Sequence, residues 1–194
     1  IIVGYRLRGD VFFSPPTPDE YRRTLKDAIW DLRRTAKPAM NKTYANPDSK
    51  LRVPNHEFLD SGFSSMYMSR NRVRSWDEPS FTIQAGGRHA PIHPNAPKME
   101  IAGKDKRIFA PGHESKYRRL TVREAASIQT FPEDFVFQYK NVLDGYKMIG
   151  NAVPVEFARR LAVRIRDDLE TGQPMSRRGF RKGILQSFDQ LLEK

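Results

Sequence analysis

Cysteine is absent from this 194-residue chain. That absence excludes disulfides, Cys-ligated zinc and a thiol nucleophile on the chain. Long apolar runs are missing too: no stretch of about 18 apolar residues exists to span a bilayer. The opening Ile1-Ile2-Val3-Gly4-Tyr5 is too short for a secretory signal and lacks its flanks, so the cytoplasm is the expected compartment. Histidine is scarce, with four residues. His89 and His93 are four apart, but Pro91 between them disfavours the helix that would turn both onto one metal. They read as solvent-facing or hydrogen-bonded loop histidines, and no metal is expected. Nothing assembles a nucleophile, a base and an oxyanion hole.

Basic charge and aromatic residues are what the chain does contain. Lys and Arg number 34 against 23 Asp and Glu, a net charge of +11. Such an excess points to a polyanion, nucleic acid first, although a solvated basic face gives a similar count. The charge is uneven: residues 61–119 carry +6, whereas residues 120–171 carry −1. The first of these segments suits phosphates and the second suits packing. With 38% hydrophobic residues, 12 Phe and 7 Tyr, the chain can bury one sizeable core.

Residues 1–5 read as a strand apolar on both faces, as inside a covered sheet, so the chain is expected to begin partway through a larger fold. Thr17, Pro18 and Glu20 supply an N-cap, a first-turn proline and a capping-box partner. With Tyr21, Leu25, Ala28, Ile29 and Leu32 at helical spacing, they predict a helix over 18–34. Residues 37–60 are turn-rich and read as loop. Short strands are expected at 63–68 and 80–85, the second ended by Gly86-Gly87, and further short strands on proline-punctuated loops over 89–116. Thr121 and Glu124 form a second capping box, opening a short helix that Phe131-Pro132 stops. Another helix begins at Pro154, with Ala158, Leu161, Ala162, Ile165 and Leu169 on one face, suited to a partner surface. A basic tail with a short amphipathic helix follows from 172 to 194.

Arg70, Arg72 and Arg74 alternate, so an extended backbone would place all three on one side at roughly 6–7 Å intervals. Guanidinium forks suit guanine O6 and N7, each bidentate pair contributing on the order of 1–3 kcal/mol of base discrimination. The same row also reads as a charged strand face paired with Asp77 and Glu78. Arg88 follows two glycines, which would let its backbone approach a groove. Residues 150–154 read as a tight turn onto a helix N-terminus whose N–H groups could meet an anion, or as turn punctuation alone.

Three segments carry a family resemblance. Residues 117–132, with Arg118-Arg119-Leu120-Thr121-Val122-Arg123-Glu124, resemble motif IX of the C5-cytosine DNA methyltransferases. Residues 146–154, with Gly150-Asn151-Ala152-Val153-Pro154, are similar to their motif X. Residues 68–94, with Ser69-Arg70-Asn71-Arg72-Val73-Arg74, resemble the target-recognition region of the HaeIII-type branch, which reads GGCC. The resemblance implies an α+β fold: the C-terminal portion of a Rossmann-like methyltransferase plus a small, loop-rich mixed target-recognition domain. It implies a last strand and helix of the catalytic domain over 1–36 and the recognition domain with motif IX over 37–140. Motif X and a helix packing on the catalytic domain would occupy 141–171, ahead of the tail. Double-stranded DNA would meet Arg70, Arg72, Arg74, Gln84 and Arg88. S-adenosylmethionine would be approached by Gly150, Asn151 and Ala152, while Arg118, Arg119, Thr121, Arg123 and Glu124 would organise the recognition domain. The family attacks cytosine C6 with a cysteine thiolate and passes the methyl from S-adenosylmethionine to C5. The Pro-Cys, Glu-Asn-Val and Gln-x-Arg-x-Arg segments that do this are not in the chain, which is therefore expected to need an N-terminal catalytic half and to be inactive alone.

Overall fold

The computed structural model describes residues 3–5, 13, 15–48 and 50–171. It divides into two compact units, one formed from Ile1–Glu20 with Glu156–Lys194 and one from Tyr21–Val155. The tail helix expected within 172–194 lies outside the described residues.

In the larger unit, helix α1 (Leu25–Ile29) continues as a 3₁₀ turn, Trp30–Leu32. The helix expected over 18–34 therefore starts later and ends sooner. Thr24 and Asp27 form the capping box, and the Asp27 carboxylate also accepts the Tyr21 hydroxyl at 2.5 Å, which holds the preceding residues outside the helix. Strands β1 (Lys37–Pro38) and β2 (Glu57–Phe58) pair in parallel, and β3 (Glu100–Gly103) with β4 (Lys106–Ile108) makes an antiparallel hairpin. Helix α2 (Val122–Ile128) opens on the predicted Thr121–Glu124 capping box. Helix α3 (Val142–Asn151), capped by Asn141, was not expected as a helix; only its end was legible, as a turn. Helix α4 (Val155–Thr171) begins next to Pro154, as predicted.

The strands expected at 63–68 and 80–85 do not form. Ser64 Oγ accepts the Tyr67 N–H, and a 3₁₀ turn, Tyr67–Ser69, takes the place of the first. The second segment runs without a ladder partner because its end docks on α3 instead. Val3, Gly4 and Tyr5 belong to no strand either, and Ile1 and Ile2 lie outside the described residues.

One core joins α1, α2 and α3 through Leu25, Ile29, Val122, Ala126, Val142 and Ile149. A second cluster, with Tyr67, Val73, Ile92, Met99 and Tyr117, underlies the arginine-bearing loop. Burying such side chains contributes about 1.5–3 kcal/mol each. In the smaller unit, Asp168 accepts the Tyr5 hydroxyl at 2.7 Å and pairs with Arg164 at 2.7 Å, while Asp19 pairs with Arg160. Burial and the Asp168 carboxylate push the Tyr5 phenol up to about 12. On the α4 face predicted to be apolar, Leu161 and Ile165 are half-buried, whereas Ala158, Ala162 and Leu169 are exposed, as is neighbouring Phe157. Among the described residues, no helix is long and apolar enough to cross a membrane.

Candidate nucleic-acid interface

The three alternating arginines face different surroundings. From the turn Tyr67–Ser69 the chain leaves extended through Arg70, at φ −145° and ψ 162°, and Val73 bridges to Ile92. Asn71 sets this course. Its Oδ1 accepts the Val73 and Met99 N–H groups at 3.3 and 3.0 Å, and its Nδ2 donates to Val73 O. Arg70 is exposed, and among the described residues no hydrogen bond or ion pair holds its guanidinium. Arg72 is half-buried. Its Nε donates to Tyr67 O at 2.9 Å, and its guanidinium lies over the Tyr67 ring at 4.9 Å. Arg74 donates to Glu78 at 2.8 Å and stacks on Phe81 at 4.4 Å, so the charged-face reading applies at this position. Backbone and hydroxyl bonds from Ser75, with Arg74, hold the Glu78 carboxyl at about 2.

A second loop carries Gln84, exposed, and then a 3₁₀ turn, Gly87–His89. Arg88 on this turn is exposed, and among the described residues it too has no partner. Arg70 and Arg88 thus present open five-donor forks, able to take a guanine edge or a phosphate.

The arginines of the 118–123 segment are all engaged. Arg118 forks onto Glu124 with bonds of 2.8 and 2.7 Å. Arg119, only 2% exposed, donates to the carbonyls of Leu59, Ser61 and Gly62 and lies 4.1 Å over the Phe63 ring. Burial pulls its guanidinium below the ordinary range. Arg123 donates to Pro54 O, Asn55 Oδ1 and Phe135 O. Glu124 is wholly buried and closes the cap of α2 with Thr121 while taking Arg118. These side chains tie residues 54–62 and 133–135 to the segment that leads into and opens α2, and each arginine is already held within the fold.

His93 is fully buried rather than solvent-facing. Its Nδ1 accepts the Asn95 N–H at 3.2 Å, and its Nε2 lies 3.5 Å from Glu124. Burial pulls its pKa down to about 4. Among the described residues no group of His, Asp and Glu is arranged to hold a metal ion.

Gly150, Asn151 and Ala152 lie at the C-terminal end of α3, and Val155 N–H is already taken by Gln129 O at 3.1 Å. Gly150 is pressed against the second loop: a Cβ there would stand 2.3 Å from Ala85 N and from Gln84 C. The structure therefore brings Gly150 together with Gln84, two positions predicted for different ligands. Asn151 is exposed and Ala152 half-buried.

Sequence reasoning overlooked Asn55, Glu57, Tyr67 and Tyr146, all buried and polar. Asn55 adopts φ +77° and binds both the N–H and the C=O of Phe137. Its only sequence signal was a turn-forming Pro54-Asn55 pair. A cavity of about 610 Å³ opens beside α1, lined by Trp30, Asp31, Leu51, His56, Arg123 and Phe131 among others, but it includes none of the predicted base-reading residues.

Comparison with known proteins fits these features. The profile of the C-5 cytosine-specific DNA methylases matches residues 2–167. The Type II methyltransferase M.MthTI of Methanothermobacter thermautotrophicus is 59% identical over 169 residues, which cover 87% of this chain and 51% of that protein. M.NgoPII of Neisseria gonorrhoeae is 49% identical over 87% of the chain and 50% of its own length. M.FnuDI of Fusobacterium nucleatum is 48% identical over 81% and 45%. The chain spans about half the length of these relatives. With a family profile covering most of its residues, the chain belongs to the C-5 cytosine-specific DNA methylase family.

Proposed function

We propose that this chain is the DNA-recognition part of a cytosine-5 DNA methyltransferase of a restriction–modification system, reading a GGCC-like site. Residues 37–140 act as the target-recognition domain, in the HaeIII-type manner. Arg70 and Arg88 read bases directly, and Arg72 reads from its seat on Tyr67. The observation that carries this reading is the open guanidinium of Arg70, on a loop braced by half-buried Asn71, and of Arg88, on a turn packed against Tyr146 of α3. With no cysteine in the sequence, the nucleophile resides on an N-terminal half, which docks on the exposed Phe157, Ala158, Ala162 and Leu169 of α4. The assembly works in the cytoplasm.

S-adenosylmethionine supplies the methyl group in this family. Of the three residues predicted to meet it, Asn151 and Ala152 remain open to one edge of it. Gly150 does not fit that role, because the space beside its Cα is filled by backbone of the second loop. Most of the cofactor site then belongs to the other half.

Mixing the chain with an N-terminal half from a relative, labelled S-adenosylmethionine and GGCC-containing duplex tests the reading. Methyl transfer only when both halves are present is the expected result. A demonstrably formed complex that transfers nothing removes it. In that event a DNA-binding module without enzymatic role, the alternative favoured by the +6 charge of residues 61–119 and their arginine row, takes its place if the chain alone still selects the site.

A further inference from the structure

We propose that α3 is the platform that sets the register of the second recognition loop, and that Gly87 and Gly150 are its specificity-positioning residues. The proposal rests on the recognition reading above. Glycine inside a helix is less stable than alanine, having more backbone freedom to lose, so Gly150 in the last turn of α3 needs a reason. The reason lies across the contact. A Cβ on Gly150 would fall 2.3 Å from Ala85 N, 2.3 Å from Gln84 C and 2.4 Å from Gln84 O, all backbone atoms that cannot turn aside. The loop answers with a glycine of its own: a Cβ on Gly87 would stand 2.6 Å from the Tyr146 ring and 3.1 Å from Leu143. Tyr146 and Gly150 are four residues apart on α3, one turn, so helix and loop interlock through one glycine from each side.

The platform is itself anchored. The Tyr146 hydroxyl donates to Leu120 O and accepts the Leu59 N–H, and its ring is 1% exposed. The height at which residues 84–87 ride on α3 therefore decides where Gln84 and Arg88 meet a base pair. A displacement of about 1 Å breaks hydrogen-bond geometry at a base edge while leaving phosphate attraction nearly unchanged.

The test measures binding of the 194-residue chain to a GGCC duplex and to duplexes changed at one base pair each. Gly150→Ala and Gly87→Ala should each lose about tenfold or more of the preference for GGCC. The loss should fall at the base pair whose reading Arg88→Ala abolishes, with affinity for a duplex lacking the site changed less than about twofold. Gly150→Ala added to Arg88→Ala should cost nothing further. Gly62→Ala, where an added Cβ meets nothing within 4 Å, is the matched control and should bind as the parent does. Undiminished preference, an even loss over all duplexes, or failure of both Gly150→Ala and Gly87→Ala to fold overturns the proposal. If the parent chain itself has no preference among duplexes, the recognition reading fails first and the positioning role falls with it.

Discussion

Two sets of arginines in this chain share a side-chain chemistry and differ in their surroundings. Arg118, Arg119 and Arg123 have donors directed at Glu124 and at carbonyls of residues 54, 59, 61, 62 and 135, and Arg119 and Arg123 are buried. Arg70 and Arg88 sit on loops, exposed, with no partner among the described residues. Arg72 and Arg74 lie between these extremes, one on Tyr67 and the other on Glu78. A guanidinium surrounded by carbonyls stabilises the fold by satisfying groups that burial has cut off from water. One left in water adds little to stability and keeps its hydrogen-bonding capacity for a ligand.

Arg119→Ala puts the greatest strain on this contrast. It strands the buried Leu59 carbonyl, frees those of Ser61 and Gly62 and removes the cation over the Phe63 ring, so a loss on the order of 3 kcal/mol is expected in urea unfolding. A loss below about 1 kcal/mol would show that Arg119 is not part of the core.

Acid should act next most strongly. His93 is held neutral down to about 4, whereas the unfolded chain takes up its proton near 6.5. Between those values the unfolded state binds more protons. Stability is therefore complete above about 6.5 and falls as pH drops toward 4, by roughly 2–3 kcal/mol at most. His56, whose pKa burial also lowers, adds in the same direction. His93→Asn should flatten the slope of stability against pH, and an unchanged slope would assign the acid sensitivity elsewhere.

Thr121→Ala removes the cap of α2 and should cost about 1 kcal/mol. The smallest stability effect belongs to the exposed arginines proposed to read bases. Arg70→Ala should change unfolding by less than about 0.5 kcal/mol yet cost on the order of 1–3 kcal/mol of base discrimination. Lys104→Ala, on the exposed hairpin, should leave discrimination intact and lower the salt dependence of binding by about one phosphate. Equal loss of discrimination from both would erase the distinction between reading and anchoring.

Features governed by short-range chemistry were legible before any coordinates. The Thr121–Glu124 cap and the start of α4 after Pro154 both depend on residues within a few positions of one another. The misreadings arose where a competing local choice or a distant surface decided the outcome. Thr24 and Asp27 took the cap expected of Thr17, and Ser64 drew residues 67–69 into a 3₁₀ turn. Residues 80–85 found a helix to lean on rather than a strand to pair with.

The amino-acid order alone determined the family, the lack of a thiol nucleophile and which residues carry guanidinium groups, because these are properties of composition and of contiguous motifs. It did not determine which guanidiniums are spent. The carbonyls that hold Arg119 lie 57 to 60 positions away, and the backbone that Gly150 accommodates lies more than 60 positions before it. Hydrogen-bond partnership and close approach are properties of neighbours in space, and only the tertiary structure supplies those neighbours.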